Sequence, residues 1–322
     1  MNYKYVIIDT NLWYHKNFAT HKDLTYQVDK KTIITGGIYG FLISIKKWKK
    51  LFGENCHFYF LFDNPDTKSN LRAQMVDPTY KLNRKIYSTT FYRGIDFLHL
   101  ILIHSSSRYT TVYGTGYESD DIAPYILDSL NIDNNNQAIM VSEDMDWSRL
   151  ISDNVHQYMK GKIFDKRAFH EKYQFYPNKN SVTLYKTIRG DKVDNIPIGI
   201  KGLSSKILIH LIDNYKDIYD VFDNLNIIPC LTNKWKKEFV RCKNRLTLNH
   251  KLITFFPVNE NQVQEFTHVG CYKPYILKRI YESLGFELDK IDYRLYSHLE
   301  EEQRKKDIQK GNFFRQPRIK RK

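Results

Sequence analysis

The stretch Ala138-Ile-Met-Val-Ser-Glu-Asp-Met-Asp-Trp147 joins four apolar residues to a loop that holds three acids. A short continuous apolar run suits a strand buried on both faces, as in a parallel sheet covered by helices. The same pattern recurs along the first half of the chain. Tyr5-Val-Ile-Ile8 ends at Asp9, and His57-Phe-Tyr-Phe-Leu-Phe62 ends at Asp63. Thr110 to Tyr113 precedes Gly114, Gly116 and the run Glu118-Ser-Asp-Asp121, which opens a helix with Pro124 near its start. Gly36 to Phe52 has apolar residues at helical spacing and a basic end. Strands alternating with helices predict an α/β fold with a mostly parallel central sheet flanked by helices.

Asp9, Asp63, Glu118, Asp120, Asp121, Asp144 and Asp146 all fall at or just past the carboxyl end of an expected strand. That edge is where open α/β sheets bind ligands. A single acid there is explained as a helix cap. Four successive strands ending in acids are not. Carboxylates converging on one rim need cations, and a set of oxygen ligands without nearby His or Cys suits Mg²⁺ or Mn²⁺.

The chain of 322 residues is 42% hydrophobic and carries a formal charge of +14. It can bury a sizeable core, and disorder throughout is excluded. No apolar run approaches the length of a membrane span, and Asp9 comes too early for a signal peptide, so a cytoplasmic location is expected. The four cysteines form no CxxC pair and are expected to be free thiols. The positive charge points to a polyanionic partner such as nucleic acid, although a Lys- and Asn-rich composition also reflects AT-rich codons. In a basic protein, a carboxylate metal site suits phosphodiester hydrolysis. There, two ions about 4 Å apart clamp the attacking and leaving oxygens.

Lys186-Thr-Ile-Arg-Gly-Asp-Lys-Val-Asp-Asn-Ile-Pro197 adds Asp191 and Asp194, which are expected to complete a second metal group. Two carboxylates this close stay ionised only beside a cation. Behind them, Gly199-Ile-Lys-Gly202-Leu-Ser204-Ser205-Lys206 leads into an apolar helix. Glycines near a helix start let backbone N–H groups approach a phosphate, which predicts a clamp on duplex backbone.

Together these residues resemble the flap endonuclease and 5′-3′ exonuclease family, and in particular its bacteriophage-type members with RNase H activity. The resemblance covers about the first 255 residues. It rests on VIIDTN at 6–11, LFDN at 61–64, YKLNR at 80–84, ESDDIA at 118–123, SEDMDW at 142–147 and GDKVDN at 190–195. It implies a PIN-like nuclease core over 1–183, with a helical arch at about 64–110. A helix-three-turn-helix duplex-binding region would follow over 184–255. Asp9, Asp63, Glu118 and Asp120, with Asp121 close by, correspond to the first metal group, and Asp144, Asp146, Asp191 and Asp194 to the second. Lys81 and Arg84 look like the basic residues that face the scissile phosphate. The implied cofactors are two Mg²⁺ ions, with Mn²⁺ able to substitute, and a monovalent cation in the glycine hairpin. Ser204 stands where relatives often have a third glycine.

Tyr87, Phe91 and Tyr92 with Arg93 suit stacking on unpaired bases, or equally the apolar face of an arch helix. Residues 256–303 are expected to form a C-terminal helical support. Residues 304–322 form a basic tail with nine cations and one acid, expected to be disordered and open to nucleic acid or replication proteins. The expected activity is structure-specific 5′ nuclease cleavage, acting in primer or flap removal during DNA replication. The substrate would be duplex DNA or an RNA–DNA hybrid with a 5′ single strand, and the enzyme a monomer. Two other readings share some of these features. A PIN-type single-strand ribonuclease would not need the glycine hairpin, and a non-catalytic branched-DNA-binding protein would not need the acids.

Overall fold

The structure, a computed structural model, describes residues 3–28, 31–63, 71–83 and 87–286. The chain opens with β1 (Tyr5–Asp9), α1 (Thr10–Thr20), the strands β2 (Thr25–Val28) and β3 (Lys31–Ile34), and α2 (Gly36–Phe52). Next come β4 (His57–Leu61), α3 (Leu71–Met75), α4 (Thr89–Ser105), β5 (Tyr109–Val112), α5 (Ser119–Ser129) and β6 (Ala138–Val141). A 3-10 turn at Met145–Leu150 leads to β7 (Val155–Met159), β8 (Lys162–Phe164), α6 (Lys166–Tyr173) and α7 (Lys179–Arg189). The remainder is α8 (Ser205–Asn214), α9 (Ile218–Asp223), α10 (Asn233–Arg241), α11 (Lys243–Ile253), α12 (Glu260–Glu265), β9 (Thr267–Val269) and α13 (Pro274–Ser283).

The main sheet has the order β8-β7-β6-β1-β4-β5-β9. The five inner strands are parallel, and β8 and β9 are antiparallel edges. Side chains alternate between two buried layers, as the strand period of two requires. Ile7, Leu61, Ala138 and Met140 face one apolar cluster, and Val6, Ile8, Phe58, Phe60, Ile139 and Val141 face the other. This two-sided burial explains why the strands read as unbroken apolar runs. β1 is the switch point: the chain runs outward through β4 and β5 on one side, then through β6 and β7 on the other. Asp9 ends β1 at that crevice.

Two expectations are corrected. The segment after residue 256 is not helical alone. It also supplies β9, which pairs with β5 through Thr110↔Val269 and Thr111↔His268. In the expected arch region, α4 is a core helix: Phe91, Ile95, Leu98 and Leu102 are buried in the second cluster. No helix among the described residues is long and apolar enough to cross a membrane.

Candidate active site and metal centre

The first acidic group forms where β5 ends and α5 begins. Glu118 occupies the N-cap position of α5 but makes no side-chain cap bond; its carboxylate instead meets Arg72, Tyr80 and Lys81. Carboxylate oxygens of Glu118, Asp120 and Asp121 lie within 4.8 Å of one another. Asp9 and Asp63 stand beside this group through Ser119. The Ser119 amide donates to Asp63 Oδ1 at 2.7 Å, and the Ser119 hydroxyl donates to Asp9 Oδ1 at 3.5 Å. Asp9 also accepts from Ser142 Oγ at 2.9 Å and from the Leu12 amide.

The second group joins Asp146, Asp191 and Asp194, again within 4.8 Å of one another. Asp146 lies in the 3-10 turn after β6, and Asp144 caps that turn by accepting from the Asp146 amide. Buried Gln157 on β7 fixes the loop: its amide nitrogen donates to the Ser142 and Asp144 carbonyls at 3.0 and 2.8 Å. Asp191 and Asp194 sit on a tight loop closed by two backbone bonds between Asp191 and Ile196. Asn249 of α11 holds the loop's far side, donating to the Pro197 carbonyl at 2.7 Å. Gly190 starts the loop with φ +73°, and a Cβ there would meet the Pro197 oxygen at 2.6 Å. Gly190→Ala is therefore expected to cost about 2 kcal/mol of stability, readable as a lower urea midpoint. An unchanged midpoint would refute the close approach.

Four basic side chains hold these acids together. Arg72 of α3, only 2% exposed, donates to Glu118 at 2.6 Å and to both oxygens of Asp121 at 2.6 and 2.7 Å. Lys81 reaches Glu118 Oε1 at 2.5 Å and Asp194 at 3.9 Å. Lys186 of α7 lies 2.7 Å from both Asp146 and Asp191 and 3.9 Å from Asp144. Arg149 approaches Asp146 at 3.3 Å and Asp120 at 3.7 Å, and is fixed by the Ile253 carbonyl and the Phe255 ring. Tyr80 ties the two groups, its hydroxyl donating to Glu118 at 3.1 Å and lying 3.4 Å from Asp194.

The electrostatics follow from this packing. Burial, then the neighbouring Asp63, pushes Asp9 well above the usual carboxylate range. Burial, then Asp146, pushes Asp144 up to about 7. Burial also acts to raise Asp146, but Lys186 and Arg149 outweigh it and hold that carboxyl down to about 2. Burial opposes the charge on Lys186, yet Asp146, Asp144 and Asp191 raise its pKa.

The donor set fits a hard divalent cation: every candidate ligand is a carboxylate oxygen. Asp120 Oδ1 is buried and accepts no hydrogen bond among the described residues, which leaves it open to an ion. Asp121, expected beside the first metal group, is in the cluster but already committed. Its oxygens take Arg72 and the Phe256 amide, so it acts as counter-ion to the arginine.

Protons and divalent ions compete for these sites. Asp9 and Asp144 both have folded-state pKa values raised above the unfolded value, so their ionisation weakens the fold as pH rises; for Asp144 the window runs from about 4 to 7. The contribution of Asp146, with its depressed pKa, is lost only as pH falls below about 4. The Mg²⁺-induced rise in Tm is therefore expected to grow between about pH 5.5 and 7.5. A pH-independent increment in melting scans would contradict it.

Other expected residues are placed less uniformly. Lys81 joins the acids, whereas Arg84 lies outside the described residues, as does the basic tail. Gly202 is exposed with φ +78°, but Gly199 is buried, and a Cβ there would meet the Thr187 oxygen at 2.5 Å. Gly199 thus allows the hairpin to approach α7 and does not face a phosphate. Ser204 caps α8 by accepting from the Ile207 amide, and Ser205 and Lys206 are exposed beside it. Tyr87 stacks on Phe91 at 4.2 Å and bonds His15. Tyr87 is half-buried just ahead of α4, and Arg93 is exposed on α4. Arg72, Tyr80, Arg149, Lys186 and Gln157 were not picked out from sequence. Lys186 and Arg149 had a signal, since each stands within one or two helical turns of an aspartate it pairs with.

A switch-point crevice lined by two carboxylate groups, each laced with buried cations, defines a divalent-metal-dependent nuclease. The family of the 5′-3′ exonuclease, N-terminal resolvase-like domain, matches residues 4–174, and the chain belongs to that family. The 5′-3′ exonuclease of Buchnera aphidicola (from Schizaphis graminum) is 27% identical over 242 residues, 74% of this chain and 80% of that protein. DNA polymerase I of Caldicellulosiruptor bescii is 26% identical over 233 residues, 70% of this chain but only 26% of the polymerase. Among solved structures, the bacteriophage T5 flap endonuclease in a product complex with DNA and metal ions aligns over 87% of this chain and 99% of its own, with TM-score 0.59 and 18% identity. The catalytic core of Rad2 with DNA substrate aligns over 92% and 93%, with TM-score 0.55 and 11% identity. At these identities the structural likeness speaks for the fold.

Proposed function

We propose that the chain is a structure-specific 5′ nuclease that cuts DNA where a 5′ single strand leaves a duplex, using two Mg²⁺ ions. The observation that carries this reading is the pair of carboxylate groups, Glu118 with Asp120 and Asp146 with Asp191 and Asp194, meeting at one crevice. Asp9, Asp63 and Asp144 complete the expected ligand sets. Ions bound there would lower the pKa of an attacking water and offset charge on the scissile phosphate. The chain's own groups do the rest. Lys81, fixed by Glu118, presents an ammonium toward a phosphate entering the crevice. The exposed turn of Gly202 and the α8 start at Ser204, Ser205 and Lys206 suit backbone phosphates of the duplex, a contact that positions without reading sequence. Primer or flap removal in replication is the corresponding role, supported by the DNA polymerase I relatives.

The test is cleavage of a labelled 5′-flap duplex beside a matched 3′-flap duplex, with Mg²⁺ and with chelator. Metal-dependent cutting of the 5′ flap alone is expected. Cutting of plain single-stranded RNA with no duplex requirement would favour the single-strand ribonuclease, and tight binding without any cutting would favour a junction-binding protein.

A further inference from the structure

Two loops meet beside the carboxylates in a register that side-chain chemistry alone does not require. The Lys81 amide donates to the Asp194 carbonyl at 3.1 Å, and Asn83 Nδ2 donates to the Lys192 carbonyl at 3.1 Å. Asn195 Nδ2 donates back to the Thr79 carbonyl at 2.9 Å. Leu82 lies between the two donors and Val193 between the two acceptors, so this register sets them opposite one another. Lys81 and Asn195, on either side, are held in the left-handed region at φ 57° and 61°, which asparagine adopts readily but which strains a lysine. Leu82 is 74% exposed and Val193 70% exposed, and neither packs into an apolar cluster among the described residues.

One exposed leucine is ordinary. Two exposed apolar residues at facing positions of two bonded loops are less so, and their immediate sequence neighbours are Lys81 and Asp194. We propose that Leu82 and Val193 form an apolar step against the face of the nucleobase next to the scissile phosphate, holding it out of its stack and fixing which phosphate is cut. This rests on the 5′ nuclease reading and names the residues that set its cleavage position. A phosphate drawn to Lys81 and the carboxylates carries its base to this rim, where the Tyr80 ring is buried while Leu82 and Val193, beside Lys81 and Asp194, are exposed. Contact with a base face is tolerant of sequence, so the step selects position and not base identity.

The test uses a 5′-flap duplex with 2-aminopurine at the nucleotide beside the junction, read in chelator at saturating protein. The wild type is expected to change the fluorescence on binding, and the Leu82→Ser, Val193→Ser double variant to lose most of that change. Leu82→Phe should retain it. With Mg²⁺ the double variant should spread its cuts over adjacent phosphates, with about a tenfold lower rate at the main one, as loss of one apolar contact removes. A folded double variant with the wild-type signal and cutting pattern would overturn the inference alone. A wild type that neither binds nor cuts the flap would overturn the nuclease reading, and this inference with it.

Discussion

Asp191→Asn is expected to reduce flap cleavage by about a thousandfold or more, equivalent to about 4 kcal/mol in the barrier, while DNA binding persists. The substitution keeps size and shape. Asp191 Oδ1 accepts the Val193 amide at 2.9 Å, a bond an Asn oxygen can keep, and the backbone bonds to Ile196 do not involve the side chain. Lys186 loses one of its two close carboxylate partners but retains Asp146 at 2.7 Å, so the fold should survive. What disappears is a formal negative charge at the point where a divalent ion would sit. Binding in chelator should be unchanged or tighter, because one fewer anion faces the phosphates. Wild-type cleavage by the variant would sink the assignment of Asp191 to the second metal group.

The comparison with Asp121→Asn sharpens that test. Asp121 is as acidic in sequence and as close to the crevice, yet its oxygens are occupied by Arg72 and Phe256. Calorimetric titration with Mn²⁺ should show weakened binding in Asp191→Asn. In Asp121→Asn it should show a largely preserved ion affinity with a lower melting temperature.

That contrast marks how far sequence carries. β1, β4 and β6 were legible because burial on both faces writes them as apolar runs, each with an acid at or just beyond its end. α2 was legible with its boundaries, Gly36 and Phe52. β7 was not, because Val155-His-Gln-Tyr-Met159 buries two polar residues whose partners lie elsewhere: His156 meets the Tyr3 hydroxyl at 2.8 Å, and Gln157 holds the loop after β6. β9 is three residues paired to a strand far back in the chain, and no local pattern announces it. The acids themselves were legible by position, but their neutralisation was not. Arg72 stands 46 and 49 residues from the carboxylates it binds, a separation over which periodicity is silent. Tyr87 illustrates the opposite problem: an aromatic beside a cation reads the same whether it awaits a base or stacks on Phe91.

Arg72→Met should have the largest effect on stability, about 4 kcal/mol, with a fall in Tm of about 10 °C for a chain of this size. Methionine fills similar length but supplies no charge. Among the described residues it leaves Asp121, 3% exposed, with the Phe256 amide, and Glu118 still meets Lys81 and Tyr80. In the wild type, burial raises the Asp121 pKa and Arg72 acts against that rise. Without the arginine the folded-state pKa climbs further above the unfolded value, so the carboxyl holds its proton to higher pH in the fold. The deficit should therefore be smaller at mildly acidic pH and grow as pH rises, because an unpaired buried acid is tolerated only when neutral. Mg²⁺ should stabilise this variant more than the wild type, since an ion at Glu118 and Asp120 restores positive charge beside Asp121. Cleavage should also drop, because α3 anchors the segment that delivers Tyr80 and Lys81 to the carboxylates. Melting scans across pH, with and without Mg²⁺, separate these effects, and a deficit that stays constant with pH would show that the arginine's charge is not what secures the cluster.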